Sequence, residues 1–250
     1  MSCSIVMTYF NRRAQLIRTL ETIRYFGDPE IIIVDDGSDQ RIDDLQGIKL
    51  IRITPSTKWY LNPCVAYNIG FSHVTGDKVI IQNAECLHTG DILGYLENLT
   101  EGNMFSFGAY SYNHDLTDTS GTTPEFFRQR VLKDTHQKQV NHYGWYNHTI
   151  YRPVAYHFCN ALMRTDLERI GGFDERFAEG LACDDDEILI RIRRAGINVQ
   201  IIDDPFVIHQ KHERTDYRTY AAQRARNGVL LEQVKGENYI KPPQNEYYGK

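Results

Sequence analysis

The sequence predicts an α/β fold, with a mostly parallel central sheet flanked by helices. Short β-branched runs alternate with amphipathic segments through the first half of the chain, which is the βαβ rhythm of a doubly wound sheet. The 250 residues are 41% hydrophobic and 24% charged, so one sizeable core is expected. We therefore predict a single domain over residues 1–250, divided into a first half (1–100), a second half (101–215) and a C-terminal helix and tail (216–250).

The first half is predicted to contain four strands and two helices. The strands are expected at 4–8, 31–34, 48–53 and 79–81, and the second helix at 63–74. Asn11 is expected to cap the first helix, which contains Leu16, Leu20 and Ile23. Ligands of such sheets bind at the carboxyl ends of the strands, where Asp35-Asp36 and Asn83-Ala84-Glu85 stand.

The second half is less regular, and its periodicity predicts strands at 104–110, 156–163, 199–202 and 205–209. Helices are expected near 125–133, from Asp184 onward and at 217–233. The tail from Lys241, which begins with two prolines, is expected to be loose or to lie over the surface.

Four consecutive acidic residues, Asp184-Asp185-Asp186-Glu187, open the helix in which Ile188, Leu189 and Ile192 recur at helical spacing. The helix dipole stabilises carboxylates at this end, so they can stay ionised. An ionised carboxylate at the mouth of a cleft can act as a general base. The alternative is an acidic cap on a solvated helix.

Composition and missing motifs exclude several classes of protein. A net charge of -5 without a long basic run argues against nucleic-acid binding. The five cysteines are irregularly spaced, which indicates free thiols in a reducing, cytoplasmic compartment. No apolar run has the length of a transmembrane segment. Dinucleotide, P-loop and GxSxG signatures are missing from the sequence.

Five segments resemble the family 2 glycosyltransferases, which have the inverting GT-A fold. They are the opening strand and turn from Ser4 to Arg12, the VDDGS sequence at 34–38, Asn68-Ile69-Gly70 with Gly76-Asp77, the GGFDE sequence at 171–175, and Asp184-Asp185 with Arg191. Each segment alone is weak evidence for the family, but VDDGS followed by GGFDE is a specific combination. The resemblance covers about 4–212, most of the chain.

The resemblance implies a nucleotide-sugar donor, with a UDP-sugar favoured, bound by residues 1–100. Asp36 is expected to accept hydrogen bonds from the base or ribose, and Phe10 to stack on the base, with Tyr9 as the alternative ring. Further donor contacts are expected from Asn11, Arg12, Asn68 and Asn83.

The resemblance also implies a divalent metal, Mn²⁺ or Mg²⁺. The family's Asp-x-Asp is replaced here by Asn83-Ala84-Glu85, so Glu85 is the remaining carboxylate ligand. His209 is expected to complete the site, with His212 as a close competitor. Imidazole suits Mn²⁺ better than Mg²⁺.

Asp184 and Asp185, the acid pair, form the catalytic centre that the resemblance implies. Asp185 is expected to take the proton from the attacking hydroxyl of a glycan or another acceptor, and Asp184 to position that acceptor. The acceptor is expected to contact Trp145, Tyr146 and His157, with Trp145 as a stacking platform. Two alternatives stay open at this point: a nucleotidyltransferase, and a non-catalytic module that binds a nucleotide or a sugar.

Overall fold

A mixed sheet runs through the described residues, which are 2–117, 122–134, 144–213 and 218–248 of a computed structural model. Its strands are β1 (Cys3–Tyr9), β2 (Glu30–Asp35), β3 (Lys49–Arg52), β4 (Lys78–Asn83), β5 (Cys86–His88), β6 (Asn103–Ser111), β7 (Trp145–Asn147), β8 (Cys159–Met163) and β9 (Asn198–His209). Their order is β3-β2-β1-β4-β8-β6-β9-β5, and β7 pairs with β6. Because β5, β7 and β8 are the three of these strands that oppose the direction of the others, the sheet is mostly parallel, as predicted.

Helices cover both faces of the sheet. They are α1 (Arg13–Phe26), α2 (Cys64–Phe71), α3 (Ile92–Tyr95), α4 (Pro124–Lys133), α5 (Arg164–Ile170), α6 (Asp184–Arg194) and α7 (Ala221–Gly236). Side chains of β1 alternate between the faces: Val6 packs in a core with residues of α2, α5 and α6, while Ile5 and Met7 pack with residues of α1 and α3. Gly70 brings α2 close, since a Cβ there would lie 2.5 Å from Val6 Cγ1.

Several predicted elements are corrected by the structure. Asn11 does not cap the first helix: α1 starts at Arg13 without a side-chain cap. The Oδ1 atom of Asn11 instead accepts hydrogen bonds from the backbone N–H groups of Asp39 and Gln40. The two strands predicted at 199–202 and 205–209 are the single strand β9. The short elements β5, β7, α3 and α5 were not predicted.

The last segments of the chain differ from expectation in part. Tyr217, where the last helix was predicted to begin, lies outside the described residues. The tail is fixed at Asn245, which is buried and donates hydrogen bonds to the carbonyls of Gly171 and Phe173. Among the described residues, no helix has both the length and the apolar character needed to cross a membrane.

Candidate active site

A cavity of about 430 Å³ opens at the carboxyl ends of β1, β2 and β4. This is the edge at which parallel α/β sheets bind ligands. Six of the residues predicted for the site line it, namely Phe10, Arg12, Asp36, Asn83, Glu85 and His157. The strand-end clusters therefore meet around one space, together with side chains from the loop before α2 and from the residue before α7.

Asp36 occupies one corner of the cavity and is nearly buried. Its carboxylate accepts hydrogen bonds from Lys58 Nζ at 2.6 Å and from the Tyr60 hydroxyl at 2.7 Å. Lys58 Nζ also lies 5.3 Å from the ring centre of Phe10, whose side chain is 53% exposed. A carboxylate, a cation and an exposed ring together suit a flat heterocycle with polar edges.

The alternative ring, Tyr9, is not available for stacking. Tyr9 is buried, and its hydroxyl donates to the carbonyl of Gln40. The neighbouring acid Asp35 is a structural residue, because it accepts from the Ser38 backbone N–H and pairs with Arg52. Phe10 is thus the exposed ring of the two, and Asp36 is the acid of its pair that lines the cavity.

Glu85 lies in a second corner of the cavity, where one of its carboxylate oxygens is close to three basic side chains. Its Oε1 lies 2.5 Å from Arg12 Nη1 and 3.4 Å from Nε2 of both His209 and His212. Burial raises the pKa of Glu85, but the hydrogen bond from His209 and the charge of Arg12 outweigh burial and lower this pKa to about 2. The carboxylate is therefore ionised over the ordinary pH range.

Glu85, His209 and His212 form a candidate metal site. Their ligand atoms all lie within 4.8 Å of one another. One carboxylate oxygen and two imidazole nitrogens form a donor set that suits Mn²⁺ and other transition metals better than Mg²⁺. The sequence preference for His209 over His212 has no support in the distances, since both rings stand equally far from Glu85.

The acid pair, Asp184 and Asp185, begins α6 and follows two residues with an unusual backbone conformation. Ala182 and Cys183 have φ angles of 62° and 70°, a left-handed conformation that is uncommon for residues other than glycine and is often found at functional sites. Asp184 is nearly buried and accepts a hydrogen bond from Asn62 Nδ2 at 2.9 Å. Burial, together with the charge of Asp185, raises the pKa of Asp184. The side chain of Asp185 is 28% exposed.

His157 connects the cavity to Asp185. Its Nδ1 lies 2.5 Å from Asp185 Oδ1, and this oxygen also accepts the backbone N–H of His157 at 2.8 Å. The ring contact is an ion pair when the imidazole is protonated. Burial lowers the pKa of His157, but the charges of Asp185 and Asp184 raise it to about 9. The ring is therefore cationic at neutral pH and belongs to the acid pair as much as to the cavity.

Trp145, predicted as an exposed platform for the acceptor, is instead a core residue. Its side chain is 4% exposed, and its ring packs edge-on against Tyr110 and Phe206, with centroids 5.2 Å away in both cases. No face of this ring remains for a sugar, so this prediction is wrong. The neighbouring Tyr146 is half-buried, stacks on Phe158 and turns an edge to His209; its predicted acceptor contact stays a prediction.

Two predicted donor residues have structural roles outside the cavity. Asn68 is fully buried and joins α2 to the GGFDE turn, because it donates to Glu175 and to the Phe173 carbonyl and accepts the Phe173 N–H. Asn11 holds the loop after β2, as described above. Neither side chain is placed to contact a ligand in the cavity.

Lys58, Tyr60 and Asn62 were missed by sequence reasoning. All three lie in the loop before α2 and contact Asp36 or Asp184. The only signal was a lysine followed by two aromatic residues in a segment without periodicity.

Comparisons with known proteins identify a family and related folds. The family model described as "Glycosyl transferase family 2" matches residues 4–170. A mannosyltransferase from Pyrobaculum calidifontis, solved with GDP-Man and Mn²⁺, is 17% identical, with a TM-score of 0.50 over 94% of this chain and 63% of that one. No curated protein matches the sequence.

Two further solved structures share the fold. Residues 1–349 of TarS from S. aureus are 12% identical, with a TM-score of 0.54 over 84% of this chain and 60% of that one. The catalytic domain of Drosophila β1,4-galactosyltransferase 7, in complex with xylobiose, is also 12% identical, with a TM-score of 0.51 over 89% of this chain and 80% of that one. The match spans 63% of the mannosyltransferase and 60% of the TarS fragment.

Proposed function

The chain belongs to glycosyl transferase family 2, and we propose that it transfers a sugar from a nucleotide-sugar donor to a hydroxyl group of a glycan or another acceptor. The proposal includes inversion at the anomeric carbon, a divalent metal and Asp185 as general base. One observation carries it: Asp36, Glu85 and the Asp185-paired His157 surround the same cavity of about 430 Å³.

The nucleotide base is assigned to the corner formed by Phe10, Asp36 and Lys58. Phe10 offers a ring face, the Asp36 carboxylate accepts an N–H, and the Lys58 ammonium donates to a carbonyl. Uracil, thymine and guanine each carry an N–H beside a C=O, whereas adenine does not. We favour a UDP-sugar among these; the Pyrobaculum calidifontis neighbour was solved with GDP-Man, so GDP is the first competitor.

The diphosphate is assigned to the corner formed by Glu85 and Arg12. Glu85, His209 and His212 would hold Mn²⁺ or a similar ion, which would neutralise charge on the departing nucleotide. Arg12 lines the cavity and adds a guanidinium, which pairs well with phosphate oxygens. Asn83 lines the same side, and its Oδ1 accepts a hydrogen bond from the Tyr67 hydroxyl at 3.1 Å.

Asp185 is the proposed base because it is the more exposed acid of the pair. Asp184 is held by Asn62, so it is suited to fixing the helix start and the acceptor. His157 holds the Asp185 carboxylate in place through its backbone N–H and ring. With one base and no nucleophilic side chain in this assignment, the acceptor attacks opposite the leaving nucleotide and inverts the anomeric carbon.

A nucleotide screen tests the donor assignment. The full chain is melted with UDP, GDP, dTDP, ADP and CDP, each with and without Mn²⁺; a ligand at about 100 times its Kd adds about 2.7 kcal/mol to stability. We expect stabilisation by UDP or by another nucleotide with an N–H beside a C=O, and a larger effect with Mn²⁺.

Two variants test whether the nucleotide binds at Asp36 or whether the loss of any acidic side chain weakens its binding. Asp36→Asn should weaken binding of the stabilising nucleotide by about 1–3 kcal/mol, whereas Asp43→Asn, at an exposed residue paired with Arg41, should not. If ADP stabilises the protein as well as UDP and GDP do, the base assignment is wrong. Tight binding without transfer or hydrolysis of any nucleotide sugar would favour a binding module instead.

A further inference from the structure

A single oxygen of Glu85 is shared between a guanidinium and the candidate metal ligands. Glu85 Oε1 is the atom 2.5 Å from Arg12 Nη1, and it is also the atom 3.4 Å from Nε2 of His209 and of His212. The Glu85 side chain is 6% exposed, so its charge is stabilised mainly by these neighbours rather than by solvent. Arg12 thus contacts the Glu85 oxygen that is nearest to both imidazole nitrogens.

The position of Arg12 allows its side chain to move while its backbone stays fixed. Arg12 immediately precedes α1, and its carbonyl accepts the Leu16 N–H at 2.9 Å. The side chain is 32% exposed and lines the donor cavity. Release from Glu85 would therefore leave the guanidinium in the cavity rather than in the core.

A dication bound by Glu85 and the two rings would compete with Arg12. A metal between the two rings would approach the same carboxylate oxygen that Arg12 contacts, and at so short a separation the two cations would repel each other. A departing guanidinium needs a new anionic partner, and the diphosphate of the donor would supply one in the same cavity.

We propose that Arg12 is a resident counter-ion of Glu85 which the metal displaces, and that the displaced guanidinium binds the donor diphosphate. The inference rests on the proposed function, since it assumes the metal site and the donor cavity described above. Metal and donor then bind cooperatively: each makes Arg12 release easier for the other, and the coupling is reciprocal. Arg12 keeps affinity for the metal alone low until a donor is present.

The test measures Mn²⁺ binding to the full-length chain by electron paramagnetic resonance of the free ion and by calorimetry. Mn²⁺ is titrated alone, and then with saturating UDP and with saturating GDP. The variant Arg12→Gln removes the charge but keeps a polar side chain, and the control Arg13→Gln removes a neighbouring charge that pairs with the exposed Asp44.

We expect Arg12→Gln to bind Mn²⁺ alone about tenfold more tightly than wild type, within the usual range of about 5–150-fold for coupling between sites. UDP or GDP should tighten Mn²⁺ binding in wild type and do so less in Arg12→Gln. Arg13→Gln should match wild type in both measurements. If Arg12→Gln does not fold, Arg12→Lys, which keeps the charge but cannot make the same planar contact, should show the same changes to a smaller extent.

The outcomes distinguish the role of Arg12 from the existence of the metal site. Equal or weaker Mn²⁺ binding by Arg12→Gln, beside measurable binding by wild type, overturns the role of Arg12 and leaves the metal site standing. Mn²⁺ binding by neither protein overturns the metal site of the proposed function, and this inference with it. Undiminished coupling in Arg12→Gln rejects the transfer of the guanidinium to the diphosphate.

Discussion

Nδ1 of His157 lies 2.5 Å from Oδ1 of Asp185. The partners are 28 residues apart in the sequence, one in the segment before β8 and the other in the first turn of α6. The rings of Tyr67 and Phe173 pack against the imidazole, with centroids 5.1 Å away in both cases. A cation is therefore held against the acid pair in a largely apolar enclosure, and this arrangement determines how the site responds to pH.

The His157–Asp185 pair should stabilise the fold at neutral pH and lose this effect in alkali. The pKa of His157 is raised from 6.5 to about 9; a raised pKa of a base means that its contribution is full below about pH 6.5 and is lost as the pH rises through about 9. The contribution is of the order of 3 kcal/mol at most, at about 1.4 kcal/mol for each pKa unit. Urea unfolding between pH 6 and pH 10 measures it.

The matched variants are His157→Gln and His114→Gln, the second at an exposed histidine. His157→Gln should flatten the decline of unfolding free energy between pH 6.5 and 9, and His114→Gln should leave the wild-type decline unchanged. The same decline in His157→Gln as in wild type would show that other groups cause it.

Asp185→Asn should slow transfer with little effect on donor binding. The amide oxygen can still accept the backbone N–H of His157, but the group cannot take the proton of the acceptor. General-base catalysis contributes about 10²–10⁴-fold in rate, and transfer should fall by a factor in this range. The assay is product formation with a donor and an acceptor found by screening, with the donor Kd measured alongside.

The control for this variant is Asp186→Asn. Asp186 accepts a hydrogen bond from the Tyr156 hydroxyl at 3.1 Å, which an amide oxygen can also do, so the rate should stay near wild type. Should Asp185→Asn transfer sugar at close to the wild-type rate, the base is another group, and Asp184 becomes the first candidate.

The two histidines should contribute about equally to metal binding. Each Nε2 lies 3.4 Å from Glu85 Oε1, so His209→Ala and His212→Ala should each remove most of the gain in nucleotide binding that Mn²⁺ provides. Glu85→Gln should remove it as well, since it deletes the only carboxylate of the set. Calorimetry with the tightest-binding nucleotide, with and without Mn²⁺, measures the gain.

Glu97→Gln, at an exposed residue, serves as the control for lost negative charge. An undiminished Mn²⁺ effect in His212→Ala would restore the original preference for His209 as the histidine ligand.

The cavity was predictable from sequence because strand periodicity fixes where strands end. β-branched runs located β2 and β4, and the residues that follow them, Asp36 and Glu85, were identified as strand-end acids. Their partners were not predictable: Lys58 and Tyr60 reach Asp36 from an aperiodic loop. Burial of aromatic residues was not predictable either. A core ring such as Trp145 and an exposed ring that stacks on a sugar look the same in the sequence.

Asn68 and Arg191 illustrate a related limit. Motifs that resemble those of a family mark positions that matter, but they do not separate residues that touch a ligand from residues that support them. Asn68 joins α2 to the GGFDE turn, and Arg191 binds the same turn from α6. Only the three-dimensional contacts assign these polar residues to the scaffold.

Arg191 should be among the most costly residues to replace in the chain. It is fully buried, pairs with Glu187 through Nε and Nη2 at 2.5 and 2.7 Å, and donates to the carbonyls of Ile170 and Gly172. Arg191→Leu leaves the Glu187 carboxylate buried beside the neutral Tyr239 hydroxyl, without its cation. Breaking such a pair costs about 3–5 kcal/mol, which urea unfolding can measure.

A double variant shows whether Arg191 stabilises the fold by neutralising Glu187 or by binding the backbone carbonyls. Glu187→Leu combined with Arg191→Leu removes the uncompensated carboxylate, so it should be less destabilised than Arg191→Leu alone. The carbonyls of Ile170 and Gly172 still lose the guanidinium as a donor, at about 1–3 kcal/mol each. Arg193→Leu is the surface control, because Arg193 is exposed on the same helix, and it should change stability little. If the double variant is as unstable as Arg191→Leu, Arg191 acts by holding the turn beneath the acid pair rather than by neutralising Glu187.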